Sequence, residues 1–305
     1  MRKAYFQMHL AIALWGFTGI FGKAILMNEI MIVWYRMIMS AAALLIIMYF
    51  SKKMSFPGRK TMLQISAVGI LVCLHWIFFY ASIKASNVSI ALSCFSSVSL
   101  FTAFLEPVVH KQKIKWRDLI FGIVVMIGIY IIFSFQKWYA KGILLALLSA
   151  FLGSLFTVIN KRFVENNSPS AITFIELISG FLFLSILLPF ILTGFNYEFQ
   201  IPRNGDISFT SNTNDWLWLI LLSVLCTSVA FTISMEALQK ISAYTMNLSV
   251  NLEPLYSIVL AMIFFDEGKT LNTGFYIGTL IVLAAVVVHT IIEYRGRKSN
   301  TLITS

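Results

Sequence analysis

A glutamate followed directly by a proline stands in the middle of the apolar stretch 243–265. Glu253 is about ten residues into this stretch, and an ionisable group at that depth of a membrane span usually faces a cavity or a charged partner. Pro254 lacks a backbone N–H, and its ring clashes with the carbonyl of Val250, so it frees a carbonyl at the same depth. We therefore expect Glu253 to bind a substrate ammonium group or a proton, with Pro254 as a hinge. The alternative is a structural kink whose carboxylate pairs with a neighbouring helix.

Two asparagines precede this pair and add donors and acceptors. Asn247 and Asn251 are four residues apart, so they share one face of a helix. Glu253 lies about 200° around the helix from Asn251, and one straight helix cannot aim all three side chains at one ligand. The pattern therefore requires a kink at this point or contacts with two different neighbours.

Arg36 and His75 are further candidates for chemistry inside apolar stretches. The guanidinium fork of Arg36 suits a planar acid, and the alternatives are a side chain that reaches outward to water or one that caps carbonyls. His75 is either a neutral buried histidine or a proton relay and ligand donor. Trp15, Trp76 and Tyr80 are aromatic candidates for the lining of a binding cavity, and the alternative for Trp15 is simple packing.

The composition requires membrane spans to position these residues. The 305 residues are 59% hydrophobic and only 12% charged, with a mean hydropathy of +0.84, whereas soluble domains are about 25% charged. A helix needs about 20 apolar residues to cross a bilayer. Ten stretches qualify, namely 4–26, 30–50, 62–83, 86–109, 118–136, 140–163, 169–193, 215–238, 243–265 and 272–292. We expect an all-α integral membrane protein with ten transmembrane helices.

The basic residues are distributed unequally between the two sides of this arrangement. Of the 23 lysines and arginines, sixteen fall on the side that holds both termini, six fall on the other side, and Arg36 lies within a span. Cytoplasmic loops carry the excess of Lys and Arg. We therefore expect cytoplasmic termini and an extracytoplasmic loop at 193–215. The net charge of +10 follows from this topology and does not indicate a nucleic-acid partner.

The two halves of the chain resemble each other. Three segments overlay on later ones in the same order, 10–23 on 148–161, 32–40 on 172–180, and 88–107 on 243–262. Five spans in each half would give the halves opposite orientations in the membrane, an arrangement typical of secondary transporters. The sequence thus predicts two inverted five-helix repeats, 1–138 and 139–305. Arg36 overlays Glu176, but we expect no direct pair because their depths differ by roughly 10 Å.

The third overlay places a group of serines opposite the asparagines of the second half. Ser96, Ser97 and Ser99 belong to "SCFSSVS". Small hydroxyl residues also allow close helix packing, which is the alternative for each serine taken singly. Together with Asn247 and Asn251, we expect them to form a polar lining.

The ordered set of motifs resembles the EamA-type family of the drug/metabolite transporter superfamily. The motifs are "ALWGFTGIFGK", "WYRMIMSAAALL", "FFYASIKASNVSIAL", "NLEPLYSIVLAMIFFDE" and "GFYIGTLIVLAA". The resemblance covers nearly the whole chain. It implies a carrier of the bacterial inner membrane that works by alternating access and often exports amino acids or related metabolites. Such carriers are commonly proton-coupled or facilitative.

An integral-membrane enzyme is the rival from another class. The sequence contains no HExxH, no GxSxG and no clustered His/Asp set, so we expect no enzymatic activity. Its three cysteines lack metal-ligand spacing, and we expect no cofactor and no metal. The expected partners are a small-molecule substrate, protons as a candidate coupling ion and the lipid bilayer, with the protein a monomer or homodimer. A membrane-embedded sensor or a channel remains the alternative function.

Overall fold

The computed structural model describes residues 2–52, 54–133, 139–207, 213–257, 260 and 273–303. Most of these residues are helical and none belongs to a strand of a sheet, which confirms the expected all-α class. The helices are α1 Arg2–Ala24, α2 Glu29–Phe50, α3 Arg59–Ala85, α4 Val88–Phe95, α5 Val98–His110, α6 Trp116–Phe133, α7 Ala140–Phe163, α8 Pro169–Gly194, α9 Asp215–Ser223, α10 Ala230–Leu238, α11 Ala243–Val250 and α12 Thr273–Ile303, with a π-helical segment Val224–Val229 between α9 and α10. The end of the ninth predicted span and the loop after it lie outside the described residues.

Several helices are long and apolar enough to cross a membrane. Among the described residues these are α1, α2, α3, α7, α8 and the continuous helical stretch Asp215–Leu238. Shorter apolar helices, including Val98–His110, accompany them. The chain is therefore a multi-pass membrane protein. The total of ten spans stays a prediction.

Helices α3 and α8 contact each other backbone to backbone. A Cβ placed on Gly69 of α3 would lie 2.4 Å from the carbonyl oxygen of Glu176 in α8. A Cβ placed on Gly180 would lie 2.7 Å from the carbonyl oxygen of Gly69. Such distances leave room for a hydrogen atom only, and small residues are what lets membrane helices approach this closely.

Two spans are interrupted at corresponding places. α4 ends at Phe95, and a turn at 96–97 separates it from α5; α11 ends at Val250, and a turn at 251–252 separates it from a helical segment at 253–257. The two turns are 155 positions apart, which is the offset of the third overlay. A break is therefore present immediately before Glu253, which is one of the two arrangements that the asparagine and glutamate spacing allowed.

Side-chain caps repeat at the same offset. The N–H of Ile90 donates to Oδ1 of Asn87 at 2.8 Å, and the N–H of Thr245 donates to Oγ of Ser242 at 3.1 Å. A cap of this kind satisfies one of the N–H groups that a helix start leaves unpaired. The interrupted spans thus begin, as well as break, in the same way.

The π-helical segment follows from hydroxyl groups that bond five residues back. Thr227 Oγ1 donates to the carbonyl of Leu222 at 2.9 Å, and Ser228 Oγ contacts the carbonyl of Ser223 at 3.0 Å. Ser40 of α2 also contacts the Ser223 carbonyl, at 3.0 Å. These contacts occupy the carbonyls that a π-helical turn displaces from the α-helical pattern.

Hydrogen bonds join the loop between α8 and α9, and the start of α9, to the connection between α1 and α2 and to the start of α2. The buried carboxylate of Asp215 accepts hydrogen bonds from the Leu26 N–H at 2.9 Å and from the Arg203 N–H and Nε, both at 3.1 Å. Tyr197 donates its hydroxyl to Glu29 at 2.5 Å. This hydrogen bond, together with partial burial, raises the pKa of Tyr197 to about 12.

Asp215→Asn should loosen this attachment. The variant loses a buried charge that three N–H donors surround, and hydrogen bonds to charged groups contribute about 2 kcal/mol each. We expect a fall of about that size in the free energy of unfolding, measured by thermal denaturation in detergent. Glu198→Gln removes a negative charge from the exposed part of the same loop and is the control. Equal stability of the two variants would contradict the prediction.

Candidate functional site

A small cavity lies where α1, α2, α3, α7, α10 and α11 meet the α4–α5 break. Its volume is about 80 Å³, room for a few water molecules. The lining consists of Trp15, Thr18, Arg36, His75, Trp76, Phe79, Phe95, Val98, Gly153, Phe156, Thr157, Phe231, Ser234, Met235, Leu238, Met246, Asn247, Val250 and Glu253. The wall is thus mainly apolar and aromatic, with one arginine and one glutamate.

Arg36 points into the protein and is held on three sides. Its Nε donates to Thr227 Oγ1 at 2.7 Å, and its Nη1 donates to Tyr80 Oη at 2.9 Å. Its guanidinium carbon lies 3.9 Å from the centroid of the Trp76 ring, within the range of a cation–π contact. With 2% of its surface exposed, Arg36 does not reach outward to water, and its partners fix the orientation of the guanidinium.

Glu253 lines the same cavity as Arg36. The turn at 251–252 redirects the chain, so that Glu253 and Asn247 both reach the cavity although a straight helix would point them apart. A buried carboxylate is strongly disfavoured without a compensating charge. Arg36 and Glu253 thus offer a guanidinium group and a carboxyl group to whatever enters.

His75 lines the cavity and is anchored at one nitrogen. Its Nδ1 lies 2.9 Å from both the carbonyl oxygen and Oγ of Ser149. The carbonyl contact suits a tautomer with the proton on Nδ1, because a carbonyl only accepts. The ring packs against Phe79, Phe95 and Phe156. His75 is therefore buried at the cavity wall, and the choice between a neutral structural histidine and a proton relay stays a prediction.

The asparagines connect α11 to α5. Asn247 Nδ2 donates to Thr102 Oγ1 at 2.8 Å, and Asn251 Nδ2 donates to Ser99 Oγ at 3.1 Å. The predicted opposition of asparagines and serines is therefore present at Asn251 and Ser99. Of these side chains only Asn247 belongs to the described lining.

The serines mainly bond to carbonyls of their own span. Ser96 Oγ donates to Leu92, Ser97 Oγ to Cys94 and Ser99 Oγ to Ser96. These contacts occupy carbonyls around the α4–α5 break. A lining role for Ser96, Ser97, Ser99 and Asn251 stays a prediction.

The structure brings together Trp15, Arg36, His75, Trp76, Asn247 and Glu253 from the predicted set. Tyr80 contributes through Arg36, and Pro254 is the buried residue that follows Glu253. Thr18, Gly153, Phe156 and Phe231 were not predicted.

The first overlay of the two halves indicates two of these unpredicted lining residues. Its offset of 138 places Trp15 on Gly153 and Thr18 on Phe156, and all four residues line the cavity. Applying the repeat to Trp15 would have identified the corresponding wall of the second half.

Glu176 is another buried carboxyl, and it lies apart from the cavity. It is 0% exposed and lies beside Asn160 of α7. Arg36 is bound instead to Thr227 and Tyr80. The two overlaid residues therefore have different surroundings.

Comparison with known proteins gives one family and several relatives. The EamA-like transporter family model matches residues 2–134 and 140–291. The chain is 22% identical over 250 residues to the uncharacterized transporter YxxF of Bacillus subtilis, covering 80% of this chain and 74% of the relative. It is 26% identical over 261 residues to an uncharacterized transporter of Clostridium kluyveri, covering 82% and 78%.

A solved structure has a similar fold. The crystal structure of another protein superimposes on this chain with a TM-score of 0.74 and 13% sequence identity. The match covers 97% of this chain and 99% of the other. At this identity the likeness concerns the fold alone.

Proposed function

The chain belongs to the EamA-like transporter family, and we propose that it is a secondary transporter that moves small metabolites, α-amino acids foremost, by alternating access. The resemblance read from the motifs is confirmed by the family match, which spans nearly the whole chain. The relatives are also named as transporters, without a substrate. The substrate class proposed here therefore rests on the cavity.

One observation carries the proposal: Arg36 and Glu253 line the same cavity. An α-amino acid has a carboxylate and an ammonium group on neighbouring atoms. Arginine has five N–H donors, of which the hydrogen bonds to Thr227 and Tyr80 use two, so donors remain for a substrate carboxylate. Glu253 would accept from the ammonium group. A zwitterion would thus match both charges of the cavity.

The remaining wall suits the apolar part of such a molecule. Trp15, Phe156 and Phe231 contribute aromatic surface to the lining, and the Phe156 and Phe231 centroids are 5.9 Å apart. Binding sites for small molecules are mostly apolar with a few placed polar groups. The cavity of about 80 Å³ is smaller than the usual ligand pocket of about 300 Å³ or more, so a substrate requires it to widen.

Alternating access would supply that widening. Two inverted five-helix repeats, 1–138 and 139–305, would rock against each other around the cavity. The breaks at 96–97 and 251–252, with their matched caps, support this proposal because inverted repeats predict equivalent interruptions. Pro254 follows the second break and would serve as its hinge.

The proposed orientation places both termini in the cytoplasm of a bacterial cell and the protein in its inner membrane. Its support is the excess of Lys and Arg on the side of the termini. Loop 193–215 would then face outward. Export is the proposed direction, in keeping with the family resemblance.

Proton coupling through Glu253 is tested by Glu253→Gln. Reconstituted protein would be screened with amino acids for uptake into liposomes, with and without a pH gradient. We expect the variant to lose pH-driven flux by about 30-fold, as for a buried charged group worth about 2 kcal/mol. Persisting substrate exchange would assign Glu253 to the proton, and an equal loss of exchange would assign it to the substrate ammonium group. Glu165→Gln, which changes an exposed carboxyl, is the matched control.

Other outcomes separate the alternatives. Equal pH-driven flux in wild type and Glu253→Gln would make Glu253 structural. Flux without saturation or counterflow would favour a channel. Absence of flux for every substrate, in wild type as well, would favour a sensor.

A further inference from the structure

A second cavity is an open groove at one end of the helices, away from the central cavity. It lies between the start of α3, the end of α5 and the end of α7, and its volume is about 780 Å³. Val68 and Leu71 line it from α3, Val109 from α5, and Ile159 and Arg162 from α7. The groove shares none of these residues with the central cavity.

The groove changes from polar to apolar along its length. Gln64 in the second turn of α3, Arg162 in the last turn of α7 and Asn166 just after α7 are exposed polar residues, whereas Leu71 and Ile159 lie closer to the middle of their helices. From residue 61 to residue 71 an α-helix rises about 15 Å, which is half of a hydrocarbon core of about 30 Å. The groove therefore has the polarity and length of one leaflet.

The charge at its polar end is positive. Arg162 is exposed in the lining itself. Arg59 and Lys60 start α3, and Lys111 and Lys113 follow α5. Basic pockets between transmembrane helices at a membrane face bind anionic headgroups, and guanidinium suits phosphate because its donors match the phosphate oxygens.

We propose that this groove binds an anionic phospholipid, with the headgroup phosphate on Arg162 and one acyl chain along Val68, Leu71 and Ile159. The lipid lies against α3, α5 and α7 at once and so connects the two halves of the chain. The proposal rests on the membrane location and is independent of the transported substrate. A transporter with a different substrate, or a sensor, would keep this lipid site.

The headgroup contact is tested by native mass spectrometry. Full-length protein would be released from nanodiscs that contain equal amounts of phosphatidylglycerol and phosphatidylcholine. We expect wild type to retain phosphatidylglycerol about fivefold over phosphatidylcholine, the effect of one basic contact near a membrane surface. Arg162→Gln should abolish this preference, and Lys3→Gln, an exposed basic residue on α1, should keep it. Equal retention of both lipids by wild type, or equal losses in both variants, would overturn the proposal.

The acyl-chain contact is tested on α3. Ala67→Phe places a ring in the lining, whereas Leu63→Phe changes a residue that is 71% exposed and outside the described lining. We expect Ala67→Phe to retain at least about fivefold less phosphatidylglycerol than wild type, an effect of the size expected for Arg162→Gln. Leu63→Phe should retain as much as wild type. Retention by Ala67→Phe at the wild-type level would place the lipid elsewhere and overturn the proposal.

Discussion

Arg36→Gln is expected to reduce substrate affinity by about 100-fold and to destabilise the protein by about 3 kcal/mol. The affinity falls because the variant removes the cation proposed to bind the substrate carboxylate. The stability falls because the contacts to Trp76, Tyr80 and Thr227 are lost or altered, and because any negative charge on Glu253 would then lack the cation that lines the same cavity. Substrate binding by calorimetry and thermal unfolding in detergent measure the two effects separately.

A double variant distinguishes the electrostatic cause from a loss of packing. Arg36→Gln with Glu253→Gln leaves no unpaired carboxylate, so its stability should recover towards wild type while its affinity stays low. Arg36→Lys should keep the charge and still bind substrate weakly, because an ammonium group lacks the planar fork. If the double variant were no more stable than Arg36→Gln, the charge pair would not be the source of the stability.

Gly69→Ala should be among the most destabilising single-methyl additions in the chain. The new Cβ would meet the Glu176 carbonyl oxygen at 2.4 Å and the Glu176 Cα at 2.7 Å. Backbone atoms cannot turn away as a side chain can, so α3 and α8 must separate. Forcing an extra carbon into a close-packed interior costs about 3 kcal/mol at the upper end of the usual range. We expect a lower unfolding temperature and a smaller monodisperse fraction in detergent.

Gly194→Ala is the matched control for this change. Gly194 ends α8, and a Cβ there would meet nothing within 4 Å. Its effect on the free energy of unfolding should stay within about 0.5 kcal/mol. Similar unfolding temperatures for Gly69→Ala and wild type would mean that α3 and α8 are not in backbone contact.

The sequence was most informative where a polar residue or a helix-breaking residue stands inside an apolar stretch, because such a placement is energetically unfavourable. Glu253 beside Pro254 predicted a break and a cavity-facing carboxyl, and the structure has the turn at 251–252 and Glu253 in the lining. The overlay of the two halves predicted a group of serines opposite the two asparagines, and in the structure Asn251 donates a hydrogen bond to Ser99. Both inferences used depth and spacing, which a sequence records directly.

The sequence was least informative about the direction in which a side chain points. Depth alone left Arg36 free to reach outward or inward, and the partners that turn it inward come from α3 and the π-helical segment. Phe231 belongs to the wall, but in the sequence it resembles any apolar residue of a span. Helix rotation depends on packing between distant segments, and hydropathy does not encode it.

The π-helical segment Val224–Val229 determines which residues of its span reach the cavity. A π turn holds one residue more than the hydrogen-bonded α turn, and one residue advances all later side chains by about 100° around the axis. Phe231, Ser234 and Leu238 line the cavity beyond this point, while Thr227 within it binds Arg36. The segment thus sets the rotational phase of α10 relative to α9. The number of residues in the π-helical segment is consequently as important for the cavity lining as their identity. Deleting one residue would turn a different set of α10 side chains towards the cavity.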